Sequence, residues 1–189
     1  MGWLSNLFKK QTVNPTQSTY AEVMNGYAPI FSQFGQNIYA SDVVQQAISC
    51  IVQEMKKLKP EHVKENGSDV IPVTNSSIQR VLNNPNPLMT TSEFLEKVTW
   101  LLFLNYNAFI IPVYYTWRDE KGVEKRQYEA LYPIQPSQVD FIEDASGQLY
   151  VKFRFNNGQE YLLRYSDVIH LKYRYGINQY MGGNEQGQP

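Results

Sequence analysis

Apolar residues recur at helical spacing in two stretches of this chain and at strand spacing through most of its second half. Val44, Ile48, Ile51 and Met55 lie four, three and four positions apart, the seam of an amphipathic helix over 42–58. Ser41 stands where an N-cap belongs, Lys56, Lys57 and Lys59 suit the C-terminal dipole, and Pro60 stops the continuation. Phe94, Val98, Leu101, Leu102 and Asn105 mark the buried face of a second helix over 90–105. Between them the pattern predicts a hairpin, with His62-Val63-Lys64 and Val70-Ile71-Pro72-Val73 as strands. Asn66-Gly67 lies in its loop, in a connection longer than the minimal two residues. A short helix over 77–82 follows.

After the second helix the period changes to two. The β-branched and aromatic run 108–115 is a strand in which Pro112 implies an edge position or a bulge. Lys121-Gly122 turns the chain into 124–131, then come 139–142, the turn Ser146-Gly147, and 149–155. In that last strand Val151, Phe153 and Phe155 alternate with Lys152 and Arg154, as in a sheet with one wet face. Asn157-Gly158 predicts a tight hairpin into 161–165, and a last apolar strand covers 168–171. The fold class is α+β, a mainly antiparallel sheet with two principal packing helices, in one domain over 41–175. Residues 1–40 read as a partly disordered arm and 176–189, rich in Gly, Asn and Gln, as a flexible tail.

The densest local signal is Asn83-Asn84-Pro85-Asn86-Pro87-Leu88-Met89-Thr90-Thr91-Ser92-Glu93-Phe94. Pro85 and Pro87 fix φ and push Asn84 and Asn86 out of the α region, so no helix runs through them. Thr90 and Glu93 have capping-box spacing. Nothing in this stretch can do covalent chemistry, and it reads as a structural part.

Composition narrows the remaining classes. A hydrophobic content of 42% with 14 Tyr and 9 Phe supports a real core, and a formal net charge of −1 gives no basic excess for holding phosphates by counterion release. Cys50 is the only cysteine, which excludes a disulfide framework and a thiolate metal site; between Ser49 and Ile51 it is expected to pack as a small apolar side chain. No apolar run approaches a membrane span. Met1-Gly2 opens like a myristoylation signal, but Asn6 stands where Ser or Thr is needed. Trp3, Leu4, Leu7 and Phe8 share one face before Lys9-Lys10, which suits either a short interfacial helix or an arm packing on its own or a neighbouring subunit; the short length favours the arm.

A search for chemistry finds no convincing site, no cofactor motif and no metal-ligand spacing. Gly182-Gly183 lacks the lysine and the helix of a phosphate loop. His62 and His170 are far apart. Asp167 lies three residues before His170, an odd offset that puts strand side chains on opposite faces. Asp119-Glu120 and Glu143-Asp144 sit beside turns, where solvated charge is the default. Lys172-Tyr173-Arg174-Tyr175 could clamp single-stranded nucleic acid, but a strand end with snorkelling side chains explains it as simply. Two alternatives to a structural protein stay open here: a metal-dependent nucleic-acid enzyme using Asp167, His170 and nearby carboxylates, and a membrane-surface protein held by its first ten residues.

Five segments in order then resemble a known family. They are Val43-Val44-Gln45-Gln46-Ala47-Ile48-Ser49-Cys50-Ile51-Val52; Asn84-Pro85-Asn86-Pro87 with Thr90, Glu93 and Phe94; Asn107-Ala108-Phe109; Leu131-Tyr132-Pro133-Ile134-Gln135-Pro136-Ser137-Gln138-Val139; and Asp167-Val168-Ile169-His170-Leu171. Together with the opening decapeptide they are similar to the N-terminal half, the arm and wing region, of tailed-bacteriophage portal proteins of the HK97 type. The resemblance implies a non-enzymatic subunit without cofactor or small-molecule substrate, in a ring of about twelve copies at one capsid vertex. Double-stranded DNA passes through such a ring without sequence specificity, and terminase, capsid and head-tail adaptor proteins dock on it. It implies a protein of the virion, assembled in the bacterial cytoplasm. A near-neutral chain suits a conduit that must not grip phosphates. Portal proteins are considerably longer, so stem and clip would follow Pro189. Tyr106 replaces the family's usual glycine before the Asn-Ala pair, which matters little if that turn uses φ below zero.

Overall fold

The computed structural model describes residues 21–23, 42–174 and 180–183. The two long helices form where periodicity placed them. Helix α1 spans Asp42–Met55, α2 spans Ser77–Asn83 and α3 spans Thr91–Asn105. Strand β1 (Ala21–Val23) precedes α1, and β2 (Val63–Asn66) and β3 (Asp69–Pro72) make a separate hairpin. The rest of the chain supplies β4 (Asn107–Arg118), β5 (Glu124–Ile134), β6 (Gln138–Asp144), β7 (Leu149–Arg154), β8 (Glu160–Arg164), a 3-10 turn at Tyr165–Asp167, and β9 (Ile169–Lys172).

The strands form two larger antiparallel sheets, ordered β5-β4-β9 and β1-β6-β7-β8. The elements stack in layers: α1 on α3, α3 on the three-stranded sheet, that sheet on the four-stranded one. Strand β4 explains the arrangement. Its side chains alternate between faces, and from Asn107 to Pro112 both faces are buried. Ala108 and Ile110 meet Phe94, Val98 and Leu101 of α3, while Phe109 and Ile111 meet Phe141, Val151 and Phe153 across the sheets. Two buried faces produce a continuous apolar run rather than alternation. A third cluster, Ile48, Val52 and Leu104 with Trp100 and Phe103, joins α1 to α3.

Pro112 does what its missing N–H requires. The pairing of β4 with β9 ends at Ile110, two residues before Pro112, and the β5 register shifts one residue after it, between Val113 and Tyr114. Pro133 lies in β5, an outer strand of its sheet.

Several expectations are corrected. The seam on α1 is rotated: Ile48 and Val52 are buried, whereas Val44, Ile51 and Met55 keep more than a third of their surface exposed. Cys50 is exposed rather than packed. The β2–β3 connection is the minimal two residues after all, since Asn66 pairs with Asp69; Gly67 supplies the positive φ of 66° that such a loop needs. Tyr106 does not use φ below zero but sits in the left-handed region at φ 54°, ψ 7°. Residues 180–183 are not a loose tail, for Met181, Gly182 and Gly183 are buried. Within the arm, 21–23 pairs with β6; Ser41, the segment 2–10 and the remainder of the arm and tail lie outside the described residues.

Candidate functional site

Helix α3 is entered and left through two turns, and these turns collect most of the residues singled out in the sequence. At the entry, Asn84 caps α2 with its N–H on Arg80 O at 2.9 Å. Pro85 and Asn86 are buried and Pro87 is exposed. The Asn86 amide nitrogen donates to Leu131 O at 2.8 Å, its oxygen accepts from Leu88 N–H at 2.9 Å, and Leu131 N–H donates to Pro85 O at 2.6 Å. The turn therefore covers the outer edge of β5, whose backbone groups would otherwise be unpaired. Thr91 Oγ1 lies within hydrogen-bond reach of both Leu82 O (2.9 Å) and Asn83 O (2.7 Å), tying α2 to α3.

The capping box forms as spelled. Glu93 N–H donates to Thr90 Oγ1 at 3.3 Å, and Thr90 N–H donates to the Glu93 carboxylate at 2.8 Å. The Thr90 N–H and the Thr90 hydroxyl, which donates to the same carboxylate at 2.9 Å, hold the Glu93 carboxyl below its ordinary pKa. Phe94 is buried against β4. A surface groove of about 640 Å³ runs along this turn, lined by Arg80, Asn86, Leu88, Met89, Glu93 and Glu129 among others.

At the exit, Asn107 is 3% exposed and uses every hydrogen-bonding position of its amide. Its Nδ2 donates to Asn105 O at 2.9 Å and Gly182 O at 3.1 Å; its Oδ1 accepts from Gly182 N–H at 2.8 Å and from His170 Nε2 at 2.9 Å. Because both Nδ2 protons are committed to carbonyls, Oδ1 is the atom facing the imidazole, and His170 must carry its proton on Nε2. Nδ1 is then free to accept from the Tyr165 hydroxyl at 3.2 Å. The ring stacks on Phe109 at 4.1 Å and lies near Phe141. Although the residue keeps some accessible surface, both ring nitrogens point to internal partners. Burial, with a smaller contribution from Lys172, lowers the imidazole pKa to about 3. His170 is a neutral structural histidine at neutral pH.

Gly182 is required here by space. A Cβ would stand 2.3 Å from Tyr106 O and 2.7 Å from Tyr173 O. Tyr106 O accepts from Tyr173 N–H at 2.9 Å, and the two rings meet edge-on at 5.4 Å. Sequence reasoning found Asn107 and His170 but missed Gly182, which it rejected as a phosphate loop and placed in a flexible tail. The signal available was a glycine pair in a polar stretch; nothing local said what approaches it.

Pro133 and Pro136 are buried at either side of the β5–β6 connection. Asp167 and His170 have separate partners: the Asp167 carboxylate accepts from Tyr114 Oη at 2.9 Å and pairs with Arg126 at 3.1 Å. Its 3-10 position overturns the strand-parity argument but still gives the two residues no common target. Among the described residues no group of three or more metal-ligating side chains forms, and no helix is long and apolar enough to cross a membrane.

Two surface patches are apolar. The β4–β5 ribbon beyond Val113 exposes Tyr115 (47%) and Trp117 (45%), two residues apart and so on one face, with Lys125 over the Trp117 ring. Helix α1 exposes Val43 (76%), Val44, Ile51 and Met55.

Comparisons with known proteins agree with this geometry. A family model described as phage portal protein matches residues 42–185. A structure titled as the neck of an empty GTA particle computed with C6 symmetry contains a similar chain, with a TM-score of 0.65 at 12% identity over 90% of this chain and 43% of that one. A chain from the virion of a native gene transfer agent particle gives 0.57 at 13%, over 85% and 41%. These likenesses are of fold, and the present chain spans well under half of either relative. No curated protein matches.

Proposed function

This chain belongs to the phage portal protein family, and on that premise we propose that it supplies the arm and wing region of a portal subunit whose stem and clip follow in a longer protein. The family match over residues 42–185 carries the reading. The family is structural, and the site geometry suits that role, since its polar side chains are consumed in holding turns. Asn84, Pro85, Asn86, Pro87, Thr90, Glu93 and Phe94 fix the entry to α3; Asn107 and His170 fix its exit; Pro133 and Pro136 fix the bend between the two sheets.

In this reading about twelve subunits close a ring by a heterologous contact, in which two different patches of one chain meet on neighbouring copies. The Tyr115–Trp117 ribbon face and the exposed face of α1 supply two such patches. Double-stranded DNA passes through the ring during packaging and ejection, terminase, capsid and head-tail adaptor proteins dock on it, and assembly takes place in the bacterial cytoplasm. The arm lies against a neighbouring subunit or the capsid.

Negative-stain electron microscopy of the protein expressed to its natural stop codon tests the reading. Rings with a central hole are expected, and small monodisperse particles would overturn it. Deleting residues 1–37 should lower ring yield without unfolding the rest; unchanged assembly would remove that role from the arm.

A further inference from the structure

The polar cluster at the exit of α3 holds together parts of the chain that local structure would leave independent. Gly182 reaches Asn107 across 75 positions and is bonded to it through both its N–H and its C=O. Beside it, Gly183 N–H donates to Arg174 O at 3.0 Å, and Met181 is 1% exposed within the core between the sheets. Asn107 itself sits at the first residue of β4, where its orientation is set from one side by Asn105 O and from the other by His170.

We propose that Asn107, oriented by His170, is the fastening that holds Met181-Gly182-Gly183 against the exit of α3, and that protonating His170 opens it. The side chain has no spare capacity: four bonds use two donors and two acceptor positions. Removing it leaves Gly182 N–H, Gly182 O and His170 Nε2–H buried without that partner. Protonation acts through Nδ1, which now accepts from Tyr165. With a second N–H, the ring turns the Tyr165 hydroxyl from donor to acceptor and places a positive charge among the rings of Phe109 and Phe141.

The charged and titratable groups around the ring do not relieve this. From the 3-10 turn comes Tyr165, a hydroxyl; from β9 comes Lys172, a like charge for an imidazolium; from β4 and β6 come only Asn107, Phe109 and Phe141; Tyr180 of the returning chain stacks on Phe141 at 5.4 Å. Asp167, the nearest carboxylate in sequence, is turned to Tyr114 and Arg126. Among the described residues no carboxylate is placed to receive the positive charge.

The fastening stands as a property of this domain. Its consequence, a fixed position of this edge of the wing relative to the proposed stem, rests on the portal reading above. Asn107 and His170 are positioning residues in this account.

Amide hydrogen exchange on the 189-residue chain separates the fastening from general stability. At pH 7 the amides of Gly182 and Gly183 should be protected in the wild type. In Asn107→Ala that protection, corrected for intrinsic exchange, should fall at least about tenfold further than that of the central strand β7, which follows global stability. Equal protection in the variant would overturn the proposal and assign the hold to Met181 packing. Should Asn107→Ala unfold as a whole, the wild type and His170→Phe decide. Lowering pH from 7 to 5 should selectively open 182–183 in the wild type, whereas His170→Phe, which keeps a stacking ring and cannot titrate, should show no such pH dependence. The same acid response in both proteins would sink the role of His170. Electron microscopy of rings reads the portal function independently, so failure of either leaves the other decided.

Discussion

The turns at the two ends of α3 achieve the same result by different means. At the entry, two prolines restrict the backbone before anything folds, a capping box satisfies the first N–H groups from within four residues, and Asn86 adds one clamp to Leu131 O. At the exit no residue is conformationally restricted. Tyr106 occupies the left-handed region against its preference, and the turn persists because Asn107 is bonded to Gly182 and His170 and because Tyr106 O holds Tyr173 N–H. The entry turn is specified mostly by its own sequence, the exit turn by distant chain. A turn of the second kind forms only when the domain is nearly complete.

Removing the amide at each end in turn separates the two kinds of turn. Asn107→Ala removes four hydrogen bonds and strands buried partners, so it should cost about 3–4 kcal/mol in urea unfolding. Asn86→Ala removes two bonds, one to a part-buried amide, and should cost about 1–2 kcal/mol. Equal losses would mean that the two ends are held alike.

Acid should weaken the exit before the entry. The folded pKa of His170 lies at about 3, below the ordinary value of 6.5, so the unfolded chain binds the proton more readily. Stability from this residue is complete above pH 6.5, declines by about 1.4 kcal/mol per pH unit below it, and stops declining near pH 3. By pH 5 the loss is about 2 kcal/mol, measurable as a fall in urea midpoint that His170→Phe abolishes. A wild-type midpoint flat from pH 7 to 5 would contradict the buried neutral ring.

What the sequence revealed follows the same division. The capping box, the proline turn, both long helices and the β-rich second half depend on neighbours within a few positions, and they formed as read. The rotation of α1 escaped notice because Val44, Ile51 and Met55 are as apolar as Ile48 and Val52; which side faces Leu104 is decided by α3, a separate element. Asn107 and His170 were picked out as motif residues, yet their shared bond lay hidden across 63 positions. Gly182 looked like part of a featureless tail. A residue needed for lacking a Cβ can be identified only once the chain that crosses it is known.

A smaller effect probes the entry alone. Thr90→Ala removes the N-cap acceptor and should cost about 1 kcal/mol, with Thr90→Ser recovering most of it. Hydrogen exchange should show the loss concentrated in the first turn of α3, leaving Gly182 protected. Spread of that loss to Gly182 would show that the two ends are coupled through the helix.

The smallest expected effect is the most discriminating one at the exit. A non-glycine residue in the left-handed region costs about 1 kcal/mol or slightly more, and glycine does not suffer it. If only the backbone mattered, Tyr106→Gly would stabilise the domain. The ring, however, meets Tyr173 edge-on at 5.4 Å, and Tyr173 also touches Phe103 at 5.2 Å, so the aromatic contact offsets part of the strain. Such pairs contribute about 0.5–1.5 kcal/mol, and Tyr106→Gly should therefore leave stability within about 0.5 kcal/mol of the wild type. Tyr106→Ala keeps most of the strain and loses the ring, and should be the worse variant by about 1 kcal/mol. A glycine variant clearly more stable than wild type would show that the aromatic contact contributes little and that the Asn107 fastening alone holds the turn in place.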